Sequence, residues 1–105
     1  MSENFKKLAQ AQLGVGASTL YTVPGATQAV IKHMRVANPT GSTVSFKLWH
    51  DGTTDSFIIV PSADILAGGW AEFDGNILME TADTLSGLAS IATSLTITVY
   101  GLEIA

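Results

Sequence analysis

The sequence of 105 residues predicts an all-β fold: one antiparallel β-sandwich, jelly-roll-like, of about eight short strands with an N-terminal arm. Three observations carry this. β-prone runs recur between turn signals at a spacing of roughly 8–12 residues. The runs Thr43–His50 and Ser94–Ile104 alternate apolar and polar residues with period two. Beyond residue 12, no stretch shows the 3.6-residue periodicity of an amphipathic helix.

Residues 1–12 read as a polar arm anchored by Phe5 and Leu8, either a short helical turn or an extended tail, and residues 13–105 as the sandwich. Ser18–Val23 is a β-prone run closed by the turn pair Pro24-Gly25. Gln28–Asn38 is a longer strand whose parity shifts: Ala29 and Ile31 fit one face, Met34 and Val36 the other. A bulge near Lys32-His33 would restore a single buried face. Asn38-Pro39-Thr40-Gly41 fits a type I turn and predicts a hairpin into Thr43–His50. There Val44, Phe46 and Leu48 point inward, with Thr43, Ser45, Lys47 and Trp49 outward.

Asp51–Asp55 is a loop, and the apolar run Ser56–Val60 predicts a strand buried on both faces or lying under a neighbour. Pro61–Ala67 is irregular. Trp70–Phe73 is a short strand stopped by Asp74-Gly75, after which Ile77 and Met79 alternate with Leu78 and Glu80. Leu85–Ser90 is short and rich in small residues. In the closing strand Leu95, Ile97 and Val99 face inward and Thr96, Thr98 and Tyr100 outward. A bulge at Gly101 then turns Leu102 and Ile104 inward.

Charged residues make up only 13% of the chain, about half the roughly 25% usual in soluble domains. Mean hydropathy is +0.34. No stretch reads as a signal peptide or membrane span: the uncharged Thr84–Leu102 takes seven of its residues from Ser and Thr and alternates at its end. Such a surface suits burial against other subunits and points to an assembly protein. Net charge of −4 argues against general nucleic-acid binding. All five basic residues lie in residues 1–50, which carry +4, and residues 51–105 carry −8. Interleaved strands would mix the two halves. The sharper reading is a head-to-tail, salt-sensitive subunit contact. With no Cys, neither disulfides nor thiolate metal sites contribute.

Three stretches together resemble small all-β virion proteins of tailed bacteriophages. They are Tyr21-Thr22-Val23-Pro24 with Ile31–Asn38, then Leu66–Gly75, then Asp83–Ser90 with Thr96–Gly101. The resemblance runs over most of residues 14–103. Two turn details depart from it: Gly25-Ala26 stands where Ala-Gly is more familiar, and Ala82 stands where Gly often precedes Asp-Thr-Leu. The resemblance implies a structural protein of the virion, made in the host cytoplasm. A capsid decoration or cement protein on the head exterior, commonly trimeric and bound to the major capsid protein, is the first expectation. A tail, neck, baseplate or fibre module with host-glycan contact is the alternative.

Nothing in the chain reads as an active site, and no cofactor, metal, nucleic acid or membrane is expected. His33 is flanked by Lys32 and Met34, a setting more structural or interfacial than basic or metal-ligating. His50-Asp51 lacks a placed nucleophile beyond Ser45 or Ser56 by residue type. Gly14-Val15-Gly16 lacks the context of a phosphate loop and reads as a hinge. Asp51–Asp55 lacks the ligand series of an EF-hand. Glu72 and Asp74 share a strand face and suit a solvated edge or the acidic side of a subunit contact better than a glycosidase pair. Outward aromatics on a low-charge surface suit interface anchors, with a sugar-stacking platform as rival. The expected interface residues are Phe5, Leu8, Tyr21, Lys32, Arg35, Trp49, Trp70, Glu72 and Tyr100.

Overall fold

A computed structural model describes residues 3–105; Met1 and Ser2, the start of the expected arm, lie outside the described residues. Eight strands follow one another: β1 (Glu3–Gln12), β2 (Ser18–Thr22), β3 (Gln28–Ala37), β4 (Val44–His50), β5 (Ile58–Ile65), β6 (Trp70–Met79), β7 (Thr84–Ala89) and β8 (Thr96–Ile104). A single 3₁₀ turn, Asp55–Phe57, precedes β5. One antiparallel sheet has the order β1-β8-β3-β6 and the other β2-β7-β4-β5. Four of the pairings, β1 with β8, β2 with β7, β3 with β6 and β4 with β5, join strands equally far from the two ends of the series. That is a long antiparallel hairpin rolled into two layers, the jelly-roll arrangement.

Between the layers lies one core. Leu13, Val23, Ile31, Val36, Val44, Phe46, Leu48, Met79, Leu85, Leu95, Ile97 and Val99 are wholly buried. Phe46 of β4 meets Phe73 of β6 edge-on across the layers, centroids 6.0 Å apart. Alternation in β4 and β8 therefore behaves as expected at Val44, Phe46, Leu48, Ile97 and Val99. The register of β3 slips between Ile31 and His33 against both neighbours, the bulge that its parity shift demands.

Five local expectations are corrected. Residues 3–12, expected as an arm outside the sandwich, form β1 within it, paired along their length with β8. β3 and β4 make no hairpin, because Asn38 is a corner that sends the chain from one layer to the other. Asp74-Gly75 does not end a strand. β6 continues to Met79, and the irregularity is absorbed opposite the β3 bulge. β5 is an alternating edge strand that runs through Pro61, not a strand buried on both faces; an edge position tolerates the missing N–H. Gly101 is not a bulge. It faces inward, paired with Lys6 of β1 and with Ile31 beside the β3 bulge, where a Cβ would lie 2.2 Å from the Val30 carbonyl oxygen. Leu102 therefore stays on the outer face.

Candidate functional site

Cross-strand register builds the outer face of the β1-β8-β3-β6 sheet row by row. Near one end Phe5, Leu102, Val30 and Leu78 stand side by side across all four strands. Phe5 is 65% and Leu78 53% exposed, so this apolar row is open to solvent. The next row is Lys7, Tyr100, His33 and Asp74, followed by Gln10, Thr98, Arg35 and Glu72, and then Gln12, Thr96, Ala37 and Trp70.

Side-chain contacts run along and between these rows, as directly opposed and diagonal pairs do. The rings of His33 and Tyr100 lie 6.1 Å apart. His33 Nδ1 sits 2.5 Å from an Asp74 carboxylate oxygen and its Nε2 3.3 Å from Glu72. Arg35 Nη1 is 3.6 Å from Glu72, and its guanidinium stands 5.0 Å from the centre of the Trp70 ring. Trp70 Nε1 donates to Glu72 at 3.1 Å, and Lys32 Nζ donates to Asn76 at 2.6 Å.

The sheet is electrically lopsided. Its β1 edge carries Lys6 and Lys7, and its β6 edge carries Glu72 and Asp74. Lys6 is committed to Glu103 at 3.1 Å. Lys7 reaches only the neutral Gln10, at 3.1 Å, and meets no carboxylate among the described residues. The Asp74 side chain is 85% exposed.

Of the nine expected interface residues, six gather on this sheet: Phe5, Lys32, Arg35, Trp70, Glu72 and Tyr100. Leu8 lies at the β1 bulge and turns against the core and Gly101. Tyr21 sits at the open end of the sandwich and donates to Glu103 at 2.5 Å. Burial, then the Glu103 carboxylate, pushes the Tyr21 phenol above its ordinary range. The Tyr21 hydroxyl, then Lys6, holds Glu103 below the usual carboxylate range. Trp49 has the outward parity expected of it but is only 4% exposed, and the 3₁₀ turn Asp55–Phe57 lies near its strand. His33, read from the sequence as structural or interfacial, completes the face with Val30, Leu78 and Leu102, which were not among the expected interface residues. Their signal was alternation hidden by the bulges.

The other histidine does structural work. His50 Nε2 lies 3.2 Å from an Asp83 carboxylate oxygen. Asp83 also accepts the Glu80 backbone N–H at 2.9 Å, and that bond, ahead of His50, lowers its titration.

No family model matches the chain, and no curated protein matches it. Solved structures do. A chain of the acid-stable capsid of Helicobacter pylori bacteriophage KHP30 superposes with TM-score 0.65 at 14% identity, over 100% of this chain and 89% of that one. A chain from Bacillus endospore appendages, described as disulfide-linked pili, gives TM-score 0.58 at 16% identity over 99% and 88%. The Tobacco streak virus coat protein gives 0.52 at 8% identity over 98% and 85%. At these identities the likeness shows the fold alone.

Proposed function

We propose that this chain is a structural protein of a phage virion: a decoration or cement protein that oligomerises, as a trimer, and bridges major capsid proteins on the head exterior. One observation carries the reading. The outer face of the β1-β8-β3-β6 sheet presents an apolar row, Phe5-Leu102-Val30-Leu78, beside Tyr100 on a chain with only 13% charge. Fold likeness to capsid chains supports it. A protein that binds only the assembled shell stabilises that shell by mass action.

Heads assembled without this protein test the idea. They should bind the purified chain at fixed stoichiometry and then resist heat that bursts bare heads. Tyr100→Asp, in the middle of the face, should melt like wild type and bind poorly. Equal binding of both would move the contact elsewhere, and binding of neither would end the head reading.

A tail, neck or baseplate module touching host glycan is the second reading, favoured by Trp70, which is 58% exposed. Glycan binding that disappears in Trp70→Ala would establish it.

A further inference from the structure

We propose that copies of this chain join head to tail by extending one β-sheet, with β1 of one copy pairing antiparallel to β6 of the next. The inference rests on the assembly reading above and deepens it by naming the contact.

Strand direction allows the contact. β1 runs antiparallel to β8, β8 to β3, and β3 to β6, so β1 and β6 point in opposite directions. A second copy set alongside in the same orientation brings its β6 antiparallel to β1. Both outer strands are ten residues long and free of proline. The other sheet protects its edges: β2 has only five residues and a bulge, and β5 contains Pro61 and two register slips. β1 and β6 carry irregularities of their own, at Leu8 and at Gly75-Asn76, but they remain the long, proline-free pair of edges.

Side-chain order selects the register. Extending the rows across the boundary sets Phe5 opposite Leu78 of the second copy, Lys7 opposite Asp74, Gln10 opposite Glu72 and Gln12 opposite Trp70. Apolar meets apolar, cation meets anion and amide meets carboxylate without sliding the strands. Lys7 has no carboxylate of its own among the described residues, and Asp74, which meets His33 through Oδ1, is 85% exposed, so its other oxygen has capacity for this pair. Phe5 and Lys7 are two positions apart where Leu78 and Asp74 are four, and Lys7 and Gln10 three apart where Asp74 and Glu72 are two; the irregular stretch at Gly75-Asn76 takes up the first difference and the bulge at Leu8 the second. A contact between two different edges is heterologous. It closes into a ring, a trimer among the choices, when the rotation closes, and otherwise grows as a fibre.

The test is the mass in solution of full-length wild type, Lys7→Glu and Asp74→Lys, by sedimentation at low and high salt, with thermal melting as the folding check. Wild type should form rings or fibres that loosen in salt. Each reversal alone should associate about tenfold more weakly or worse, since like charges then face each other. An equal mixture of the two should recover assembly as alternating even-numbered rings or fibres, because each reversed edge then meets its complement, whereas a three-membered ring keeps one like-charged contact and recovers only in part. Should Asp74→Lys misfold, Phe5→Glu and Leu78→Lys serve as the pair in the same way. Reversals that assemble like wild type, or a mixture that stays apart, would overturn the edge contact and leave the assembly reading intact. Wild type that stays monomeric at every concentration would overturn the edge contact and self-assembly together, leaving the head-binding experiment to decide the function.

Discussion

Asn38 Nδ2 donates to the Ile65 carbonyl at 2.9 Å and so ties the end of β3 in one sheet to the end of β5 in the other. The same amide donates to Ser42 O at 2.8 Å, and its Oδ1 accepts from the backbone N–H and hydroxyl of Thr40 at 3.0 and 2.6 Å. Asn38 is 1% exposed, so water replaces none of these bonds. Asn38→Ala should therefore cost at least ~2 kcal/mol, since buried carbonyls are left without donors. Asn38→Asp should cost more, because a carboxylate would face the Ile65 and Ser42 carbonyls. Urea midpoints measure both, and a near-neutral Asn38→Ala would show that the corner is held by packing alone.

Two alanines occupy left-handed backbone, Ala26 at φ 54° and Ala82 at φ 72°. A Cβ in that region costs roughly 1–2 kcal/mol, less the greater entropy that a glycine loses on folding. Ala82 is held there by its N–H bond to the Val23 carbonyl at 3.1 Å and by the neighbouring Glu80–Asp83 turn bond at 3.0 Å. Ala26→Gly and Ala82→Gly should each raise stability by about 0.5–1 kcal/mol. A fall in melting temperature for either would mean that the turn reshapes when strain is removed.

Stability should fall on both sides of neutrality. Glu103 and Asp83 titrate lower when folded than when unfolded. Their contribution is present above the unfolded range near pH ~4 and disappears as pH drops through the folded values. Tyr21 titrates higher when folded, so its contribution is complete below about pH 10 and is lost as pH rises through the folded value. Melting temperature against pH should show a plateau with two falling limbs. Glu103→Gln should lower the plateau and flatten the acid limb, and Tyr21→Phe should flatten the alkaline one. Unchanged limbs in both variants would place the titrating groups elsewhere.

These pairs also mark what the sequence could reveal. Period-two alternation in β4 and β8 exposed the core because those strands are flanked on both sides and buried on one face. The parity break in β3 announced its bulge. β1 escaped because an edge strand with a bulge at Leu8 has no clean alternation, and Lys6-Lys7 looked like the polarity of a tail. The β3–β4 corner escaped because a turn motif fixes local shape and not which layer the next strand joins. Six of the expected interface residues gathered on one sheet because outward parity is local information. Trp49 did not, because its burial is a tertiary event.

Trp49 and Trp70 should accordingly respond in opposite ways to truncation. Trp49 is buried, and its Nε1 has no hydrogen-bond partner among the described residues. Trp49→Ala should cost about 3–5 kcal/mol by leaving a cavity. Trp49→Phe should cost far less, since it removes the unpaired donor along with part of the ring. Trp70 is exposed on an edge strand and held by Glu72 and Arg35. Trp70→Ala should therefore change stability by less than ~1 kcal/mol. Its effect should fall instead on assembly or ligand binding. If Trp70→Ala unfolds the chain while Trp49→Ala leaves it intact, the outer surface of the sandwich has been assigned to the wrong tryptophan.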